Sequence, residues 1–173
     1  VPQRTVTPSA EHQARIQKER RKVRDAKARR ISSREGINAV RTGFQWPVTG
    51  RISGVYGSQR IYNGSPGTPH YGVDVARPKG TAVKAPAHGE VTLAEPDLFY
   101  SGGTVILDHG YGLSSSFLHL SEIKVSVGDV LGPGDSIGAI GSTGRATGPH
   151  LDLRMSWFDQ RIDPQLLVPP MPN

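Results

Sequence analysis

The chain has 173 residues and a formal net charge of +6, with 21 glycines, 14 prolines and no cysteine. The length suits one ordinary domain with an appendage. The lack of cysteine excludes disulfide scaffolds, thiolate metal sites and cysteine nucleophiles, and no apolar run approaches the ~18 residues of a membrane span. The many glycines and prolines argue against a helical bundle and favour short strands joined by turns.

The positive charge is confined to the amino-terminal part of the chain. Residues 1–45 carry 12 Lys/Arg and 4 Asp/Glu, whereas residues 46–173 carry 9 and 11. From Ala10 to about Arg34 there is no proline or glycine, and good helix formers dominate, with Ser9 as the N-cap. We therefore expect residues 1–43 to form a basic helical extension or linker.

Four roles for this helix are considered on sequence grounds. It can be a solvated linker, because its apolar stripe is narrow. It can bind an anionic envelope polymer or lipid headgroups through residues 10–34. Specific nucleic-acid binding is disfavoured, because no aromatic residue lies between the basic ones. The helix can also cover a groove as an inhibitory segment, although no residue in it establishes this.

The second region, residues 44–168, alternates short apolar runs with turn signals such as Asn63-Gly64. This pattern predicts a mainly β fold, an antiparallel sheet or sandwich. Residues 169–173 form a proline-rich tail. The expected strands are Gly50–Val55, Gly72–Ala76, Ala82–Lys84, Gly89–Ala94, Gly103–Asp108, Leu113–Leu118, Ile137–Ile140 and Leu151–Trp157.

Five polar residues in this region have informative spacing: His70, Asp74, His119, His150 and Asp152. Residues of the same parity on a strand point to one face, so His70 with Asp74 and His150 with Asp152 each form a pair on one side. Three strands can thus direct imidazoles and carboxylates into one groove. His and Asp are proper zinc ligands, and catalytic zinc sites use three of them. The pattern is compatible with a metallohydrolase that has two further histidines.

Several ordered motifs between Phe44 and Pro164 resemble the lysostaphin-type zinc endopeptidases, which cut peptide bonds in bacterial peptidoglycan. The resemblance covers about 120 residues, essentially the whole folded region. The motifs are Trp46–Gly57, His70–Ala76, Pro78–Val83, Asp108–Gly112, Phe117–Ser121 and Gly141–Asp152.

This resemblance implies specific roles for the polar residues. His70 and Asp74 match the family's His-x-x-x-Asp, which supplies two zinc ligands. His119 and His150 match the two catalytic histidines, which position and deprotonate the water and stabilise the tetrahedral intermediate. The family fold is a large antiparallel sheet with zinc in a groove over it.

One ligand position departs from the family pattern. The third ligand is a histidine in the family, and here it is Asp152. A second carboxylate would nearly neutralise a divalent ion and make bound water less acidic. Three outcomes are open: zinc with lower activity, a preference for a harder metal such as Mn, or loss of the metal.

Two loops complete the sequence-based interpretation. Arg60, Tyr62 and Asn63 precede His70 in a loop that can border the groove and contact substrate. His109 lies in a glycine-rich turn, where a structural hydrogen bond is the expected role.

The expected function is a metal-dependent endopeptidase acting on peptidoglycan peptides, with one zinc ion or another divalent metal. The resemblance implies a location in the cell envelope, periplasmic or extracellular. The alternative is a non-catalytic module that binds peptidoglycan or regulates a hydrolase, and Asp152 is the reason to retain it.

Overall fold

The computed structural model describes residues 7–29 and 39–173. Helix α1 spans Ala10–Ala28, and the Ser9 hydroxyl caps it by accepting a hydrogen bond from the backbone N–H of His12 at 3.2 Å. The prediction that the helix continues to about Arg34 is wrong at its end, because the backbone of Arg29 is extended. No glycine or proline marks this end in the sequence. Residues 30–34 of the predicted anion-binding segment lie outside the described residues.

The carboxy-terminal part of the chain is built from short strands, as expected. A single helical turn at residues 39–42 precedes them, and a 3₁₀ turn at Pro164–Leu166 follows them. The strands are β1 (Arg51–Gly54), β2 (Ile61–Tyr62), β3 (Ser65–Pro66), β4 (Val73–Ala76), β5 (Ala82–Lys84), β6 (Gly89–Leu98), β7 (Gly102–Asp108), β8 (Leu113–Ile123), β9 (Val130–Leu131), β10 (Ser136–Ile140), β11 (His150–Trp157) and β12 (Gln160–Ile162).

Ten of these strands form one antiparallel sheet, and β2 and β3 form a separate hairpin. The main order is β1-β4-β11-β8-β7-β6-β9, with β10 pairing to β5 and β8, and β12 pairing to β11. The prediction of a mainly β, antiparallel fold with an amino-terminal helix is therefore confirmed. Strands β4 and β11, which begin at Val73 and His150, are neighbours in the sheet although they are far apart in the sequence. This pairing brings predicted site residues together.

The hydrophobic core lies against one face of the sheet. Val73, Val75, Leu151 and Leu153 are almost completely buried there, and Phe117 of β8 joins them. Because side chains alternate along a strand, the residues between these positions point to the opposite face. That second face is where Asp74 and Asp152 lie.

Helix α1 packs on this second face. Ala26 of the helix belongs to a buried cluster with Leu93, Leu98 and Ile106 of β6 and β7, and Val23 packs against this cluster. Ile106 lies opposite Ser116 of β8, and Ser116 lies opposite Arg154 of β11. Directly opposite residues in antiparallel pairs share a face. The helix therefore shares a sheet face with the predicted site.

The helices among the described residues are too short or too polar to cross a bilayer.

His109 has a structural role, as expected. Its side chain is 0% exposed, and its ring nitrogens lie 2.7 Å from the His88 carbonyl oxygen and 2.7 Å from the Ser115 hydroxyl. Phe44 packs edge-on against the ring. Burial, only partly offset by the His88 carbonyl and the Asp108 charge, lowers the pKa of His109 to about 4.

This buried imidazole makes the fold sensitive to acid. The unfolded chain binds the proton near pH 6.5, whereas the folded chain binds it only near pH 4. Stability from this group is complete above the unfolded pKa and falls as pH drops toward the folded one, by about 2 kcal/mol between roughly pH 7.5 and 5. Urea unfolding at several pH values should show this slope reduced in His109→Gln and kept in His88→Gln. Equal slopes in all three proteins would show that His109 is not the acid-sensitive group.

Candidate metal centre

The pairing of β4 with β11 creates the centre of the site. Asp74 and Asp152 lie directly opposite each other in this antiparallel pair, so both carboxylates project from the same face. His70, just before β4, completes the group. One ligand atom from each of the three side chains lies within 4.8 Å of the other two. The sheet register thus brings together His70, Asp74 and Asp152, the three residues that the sequence proposed as ligands.

Two glycines make room for the carboxylates. A Cβ at Gly72 would lie 2.2 Å from Asp152 Oδ1, and a Cβ at Gly54 would lie 2.5 Å from Asp74 Oδ2. Real Cβ atoms do not approach other heavy atoms so closely, so any larger residue would displace these side chains. Glycine at positions 54 and 72 is therefore needed for Asp74 and Asp152 to keep their positions.

His70 and Asp74 face each other across the centre of the group. His70 Nε2 is 3.1 Å from Asp74 Oδ1, yet both atoms are buried and neither makes a well-oriented hydrogen bond with any described residue. The interaction with Asp74 outweighs burial and raises the pKa of His70. Burial pushes the pKa of Asp74 upward, but His70 and the other histidines outweigh it and lower the pKa.

These features fit a divalent cation. Buried polar atoms are normally hydrogen-bonded. His70 Nε2 and Asp74 Oδ1 are buried side by side without such bonds to the described residues, so their lone pairs are available to a cation. One imidazole nitrogen and two carboxylate oxygens are a donor set that zinc accepts. His70, Asp74 and Asp152 could hold such an ion.

Asp152 also has a partner that the sequence analysis missed. The carboxylate is 2% exposed, and the Arg154 guanidinium donates to both of its oxygens, Nε to Oδ1 at 3.2 Å and Nη2 to Oδ2 at 3.0 Å. Arg154 follows Asp152 by two residues on β11, so strand parity alone could have placed both on one face. A carboxylate has about four lone-pair sites, so binding Arg154 leaves acceptor capacity for a cation.

His119 reaches the site through an irregularity in the sheet. Simple alternation from Leu118, which lies opposite Asp152, would direct His119 to the core face. The register of β7 with β8 shifts between Gly103 and Val105, and His119 has a left-handed backbone with φ 65°. Bulges of this kind re-aim a side chain, and strained residues often mark functional sites.

The two histidines beside the ligand group are oriented by backbone carbonyls. His119 Nδ1 lies 2.8 Å from the Thr143 carbonyl oxygen, and His150 Nδ1 lies 2.8 Å from that of Gly148. Because a carbonyl can only accept, each Nδ1 carries the proton, and each neutral ring has its lone pair on Nε2.

Both Nε2 atoms face the ligand group. His119 Nε2 is 4.0 Å from Asp152 Oδ2, His150 Nε2 is 3.7 Å from Asp74 Oδ1, and the two rings are 4.9 Å apart. Burial, reinforced by the charge of His150, lowers the pKa of His119 despite the Thr143 carbonyl and Asp152. Two nitrogens that can accept protons therefore lie beside the side chains that could hold a cation.

The predicted substrate loop is not part of this cluster. Arg60 is exposed, and Asn63 lies in the turn of the β2–β3 hairpin with φ 50°. The side chain of Tyr62 lies outside the described part of the chain. The role of these three residues in substrate binding stays a prediction.

Comparison with known proteins identifies relatives of this arrangement. The model of "Peptidase family M23" matches residues 68–164. A peptidoglycan DD-endopeptidase of Vibrio cholerae is 36% identical over 125 residues, which is 70% of this chain and 29% of that protein. The chain spans less than a third of the length of the first curated relatives it matches.

Solved structures share the fold. A peptidase M23 from Pseudomonas aeruginosa superposes with a TM-score of 0.72 and 36% identity, covering 92% of this chain and 63% of that one. The catalytic domain of lysostaphin from Staphylococcus simulans gives a TM-score of 0.59 and 32% identity, covering 67% and 90%. The first match is too long to be confined to residues 44–173, so it extends into the amino-terminal segment.

Proposed function

Since the chain belongs to peptidase family M23 and is of the lysostaphin type, we propose that it is a metal-dependent endopeptidase that hydrolyses peptide bonds in bacterial peptidoglycan. The observation that carries this proposal is the convergence of His70, Asp74 and Asp152 on one point, with the Nε2 atoms of His119 and His150 directed at the same place. Relatives named as peptidoglycan DD-endopeptidases support the substrate class.

The proposed ligands are His70 Nε2 and one oxygen each of Asp74 and Asp152. Zinc suits this donor set, and Mn is the alternative because two of the three donors are hard oxygens. When bound, such an ion supplies Lewis acidity toward a peptide carbonyl and lowers the pKa of water. Arg154 donates hydrogen bonds to both oxygens of the Asp152 carboxylate and would thereby fix its orientation.

The two histidines would move protons at Nε2. His119, with Nδ1 bound to the Thr143 carbonyl, would accept the proton of the attacking water at Nε2. His150, in the form that has taken a proton from solvent at Nε2, would donate a hydrogen bond to the oxyanion that forms as the carbonyl carbon is attacked, and would keep that proton when the oxyanion collapses. The C–N bond then breaks, and the amine leaves with the proton that His119 gives up.

The proposed location follows from the substrate. Peptidoglycan lies in the cell envelope, so the protein would act in the periplasm or outside the cell. The basic residues of α1 are compatible with an anionic envelope polymer or lipid as a further partner.

Digestion of purified peptidoglycan tests this proposal. The wild-type protein should release soluble fragments whose masses correspond to hydrolysis of one kind of peptide bond, and a chelator such as 1,10-phenanthroline should stop the release. Mass spectrometry of the fragments identifies the bond.

The control is re-addition of zinc or manganese to the chelated protein, which should restore the release. If folded protein supplied with either metal releases no fragments, the endopeptidase proposal is wrong. Retention of such protein on peptidoglycan in a pull-down would then favour the non-catalytic binding or regulatory module.

A further inference from the structure

Strand β8 carries an extra residue where it passes the candidate metal centre. Gly103 of β7 lies opposite Leu120 of β8, and Val105 lies opposite Phe117. Between these two pairs β7 has one residue, whereas β8 has two, the second of which is His119. This arrangement is a β-bulge, and within it His119 has its positive φ of 65°. The direction of the His119 side chain therefore depends on the contacts that hold the bulge in place.

The hydroxyl of Thr143 bridges the two strands at one end of this bulge. Thr143 Oγ1 accepts a hydrogen bond from the Gly103 backbone N–H at 2.9 Å and donates one to the Leu120 carbonyl oxygen at 2.7 Å. The backbone N–H of His119 itself donates to the Ser101 carbonyl oxygen at 2.8 Å. Because a hydroxyl can donate and accept at once, one side chain serves a donor on β7 and an acceptor on β8. Thr143 thus ties the strands together directly beside His119.

The main chain of Thr143 holds the His119 ring as well. Its carbonyl oxygen lies 2.8 Å from His119 Nδ1. Close backbone packing fixes this carbonyl, because a Cβ at Gly102 would collide with the Thr143 carbonyl carbon, and the Arg145 N–H donates to the Tyr100 carbonyl oxygen at 2.8 Å. The hydroxyl and the carbonyl of one residue therefore converge on one imidazole, the first through strand β8 and the second directly.

We propose that Thr143 is a positioning residue for His119, and that its hydroxyl is required to keep the imidazole with its proton on Nδ1 and its lone pair on Nε2. The kinetic consequence of this inference rests on the proposed function, whereas the state of the ring can be measured without activity. Without the hydroxyl, the buried Gly103 N–H and Leu120 carbonyl lose their shared partner and must find others. The resulting shift of the strands against residue 143 would move the carbonyl away from Nδ1.

The tautomer of His119 tests the proposal directly. Long-range proton–nitrogen correlation spectra of ¹⁵N-labelled protein, recorded at about pH 8 where histidine is neutral, show which ring nitrogen carries the proton. The signal that is absent in His119→Asn identifies His119. The wild type should show the Nδ1-protonated form. Thr143→Val, which keeps the shape of threonine without its hydroxyl, should show a mixture of both tautomers, and Thr143→Ser should keep the wild-type spectrum.

The kinetic effect should fall on kcat. With a soluble cross-linked stem-peptide dimer as substrate, we expect Thr143→Val to lower kcat by roughly 10–100-fold, because small misplacements of a reacting group have effects of this size. KM should stay nearly unchanged, since the hydroxyl acts on a proton-transfer group and not on substrate binding. Thr143→Ser should restore most of the wild-type kcat. The matched control is Thr81→Val, which removes a hydroxyl that donates to the Pro78 carbonyl at 2.7 Å in the turn between β4 and β5.

Three results would overturn the inference. They are a wild-type His119 without the proton on Nδ1, an unchanged tautomer in folded protein that lacks the hydroxyl, and an equal loss of kcat in Thr143→Ser and Thr143→Val. Far-UV circular dichroism and thermal unfolding check folding. If Thr143→Val does not fold, Thr143→Ala removes the same hydroxyl without placing a methyl group against the two backbone groups. If the wild type cleaves no dimer, the proposed function fails, and the spectra decide on Thr143.

Discussion

We expect asparagine in place of His119 to lower the rate of the proposed peptidoglycan hydrolysis by about 10²–10⁴-fold, the usual contribution of a general acid or base. The change removes the Nε2 lone pair that faces Asp152 and the candidate centre. Asparagine is the suitable replacement, because His119 has φ 65° and asparagine tolerates this left-handed conformation better than alanine. The initial rate of fragment release from purified peptidoglycan, compared between the wild type and His119→Asn, measures this effect.

The matched control is His88→Asn, because His88 lies outside the candidate centre and its hydrogen bond to His109 is made by its backbone carbonyl, which the substitution keeps. It should digest peptidoglycan at the wild-type rate. The metal content of His119→Asn should also equal that of the wild type, because His119 is not among the three proposed ligands. Normal hydrolysis by folded His119→Asn would refute its role as the proton acceptor.

The second large effect is on metal affinity. Alanine in place of Asp152 would remove one of the three proposed ligands and leave the Arg154 guanidinium beside the centre without its carboxylate. The Arg154 guanidinium without that counter-charge would repel a divalent ion. Loss of the carboxylate ligand and this repulsion would therefore both lower the metal affinity. Changes to residues that only hydrogen-bond to a metal ligand already weaken metal binding by about 10–100-fold, so we expect loss of the proposed ligand itself to weaken it by more than about 100-fold.

Competition titration against a chromophoric chelator measures this affinity. Asp159→Ala removes an exposed carboxylate in the turn between β11 and β12, and this variant should bind zinc as the wild type does. If Asp152→Ala retains wild-type affinity, Asp152 is not a ligand, and its carboxylate serves only to pair with Arg154.

Strand parity explains why part of the site was predictable from sequence. Asp74 and Asp152 lie on regular strands, where alternation of side chains determines the face. Each of the strands expected from apolar runs and turn signals is present, β5 with the expected bounds and the others with ends that differ by one to five residues. The short pairings β2–β3, β6–β9 and β11–β12 were not predicted, because two or three residues are too few to form a periodic pattern.

Other features depend on tertiary structure. His119 points into the site only because of a register shift and a positive φ, neither of which a polar-apolar pattern encodes. The docking of α1 on the same sheet face depends on a small cluster in which Ala26 and Val23 meet residues of β6 and β7, which a narrow apolar stripe does not predict. The carbonyls of Thr143 and Gly148, which fix the histidine tautomers, have no signature in the sequence because every residue has a carbonyl.

The central claim is that His70, Asp74 and Asp152 hold one divalent metal ion. Inductively coupled plasma mass spectrometry of the protein, loaded with zinc or manganese and then dialysed, tests it most directly. The account predicts one ion per chain in the wild type and much less than one in Asp74→Ala, with both proteins folded by circular dichroism. No bound ion in the wild type, or the same content in Asp74→Ala, would contradict it.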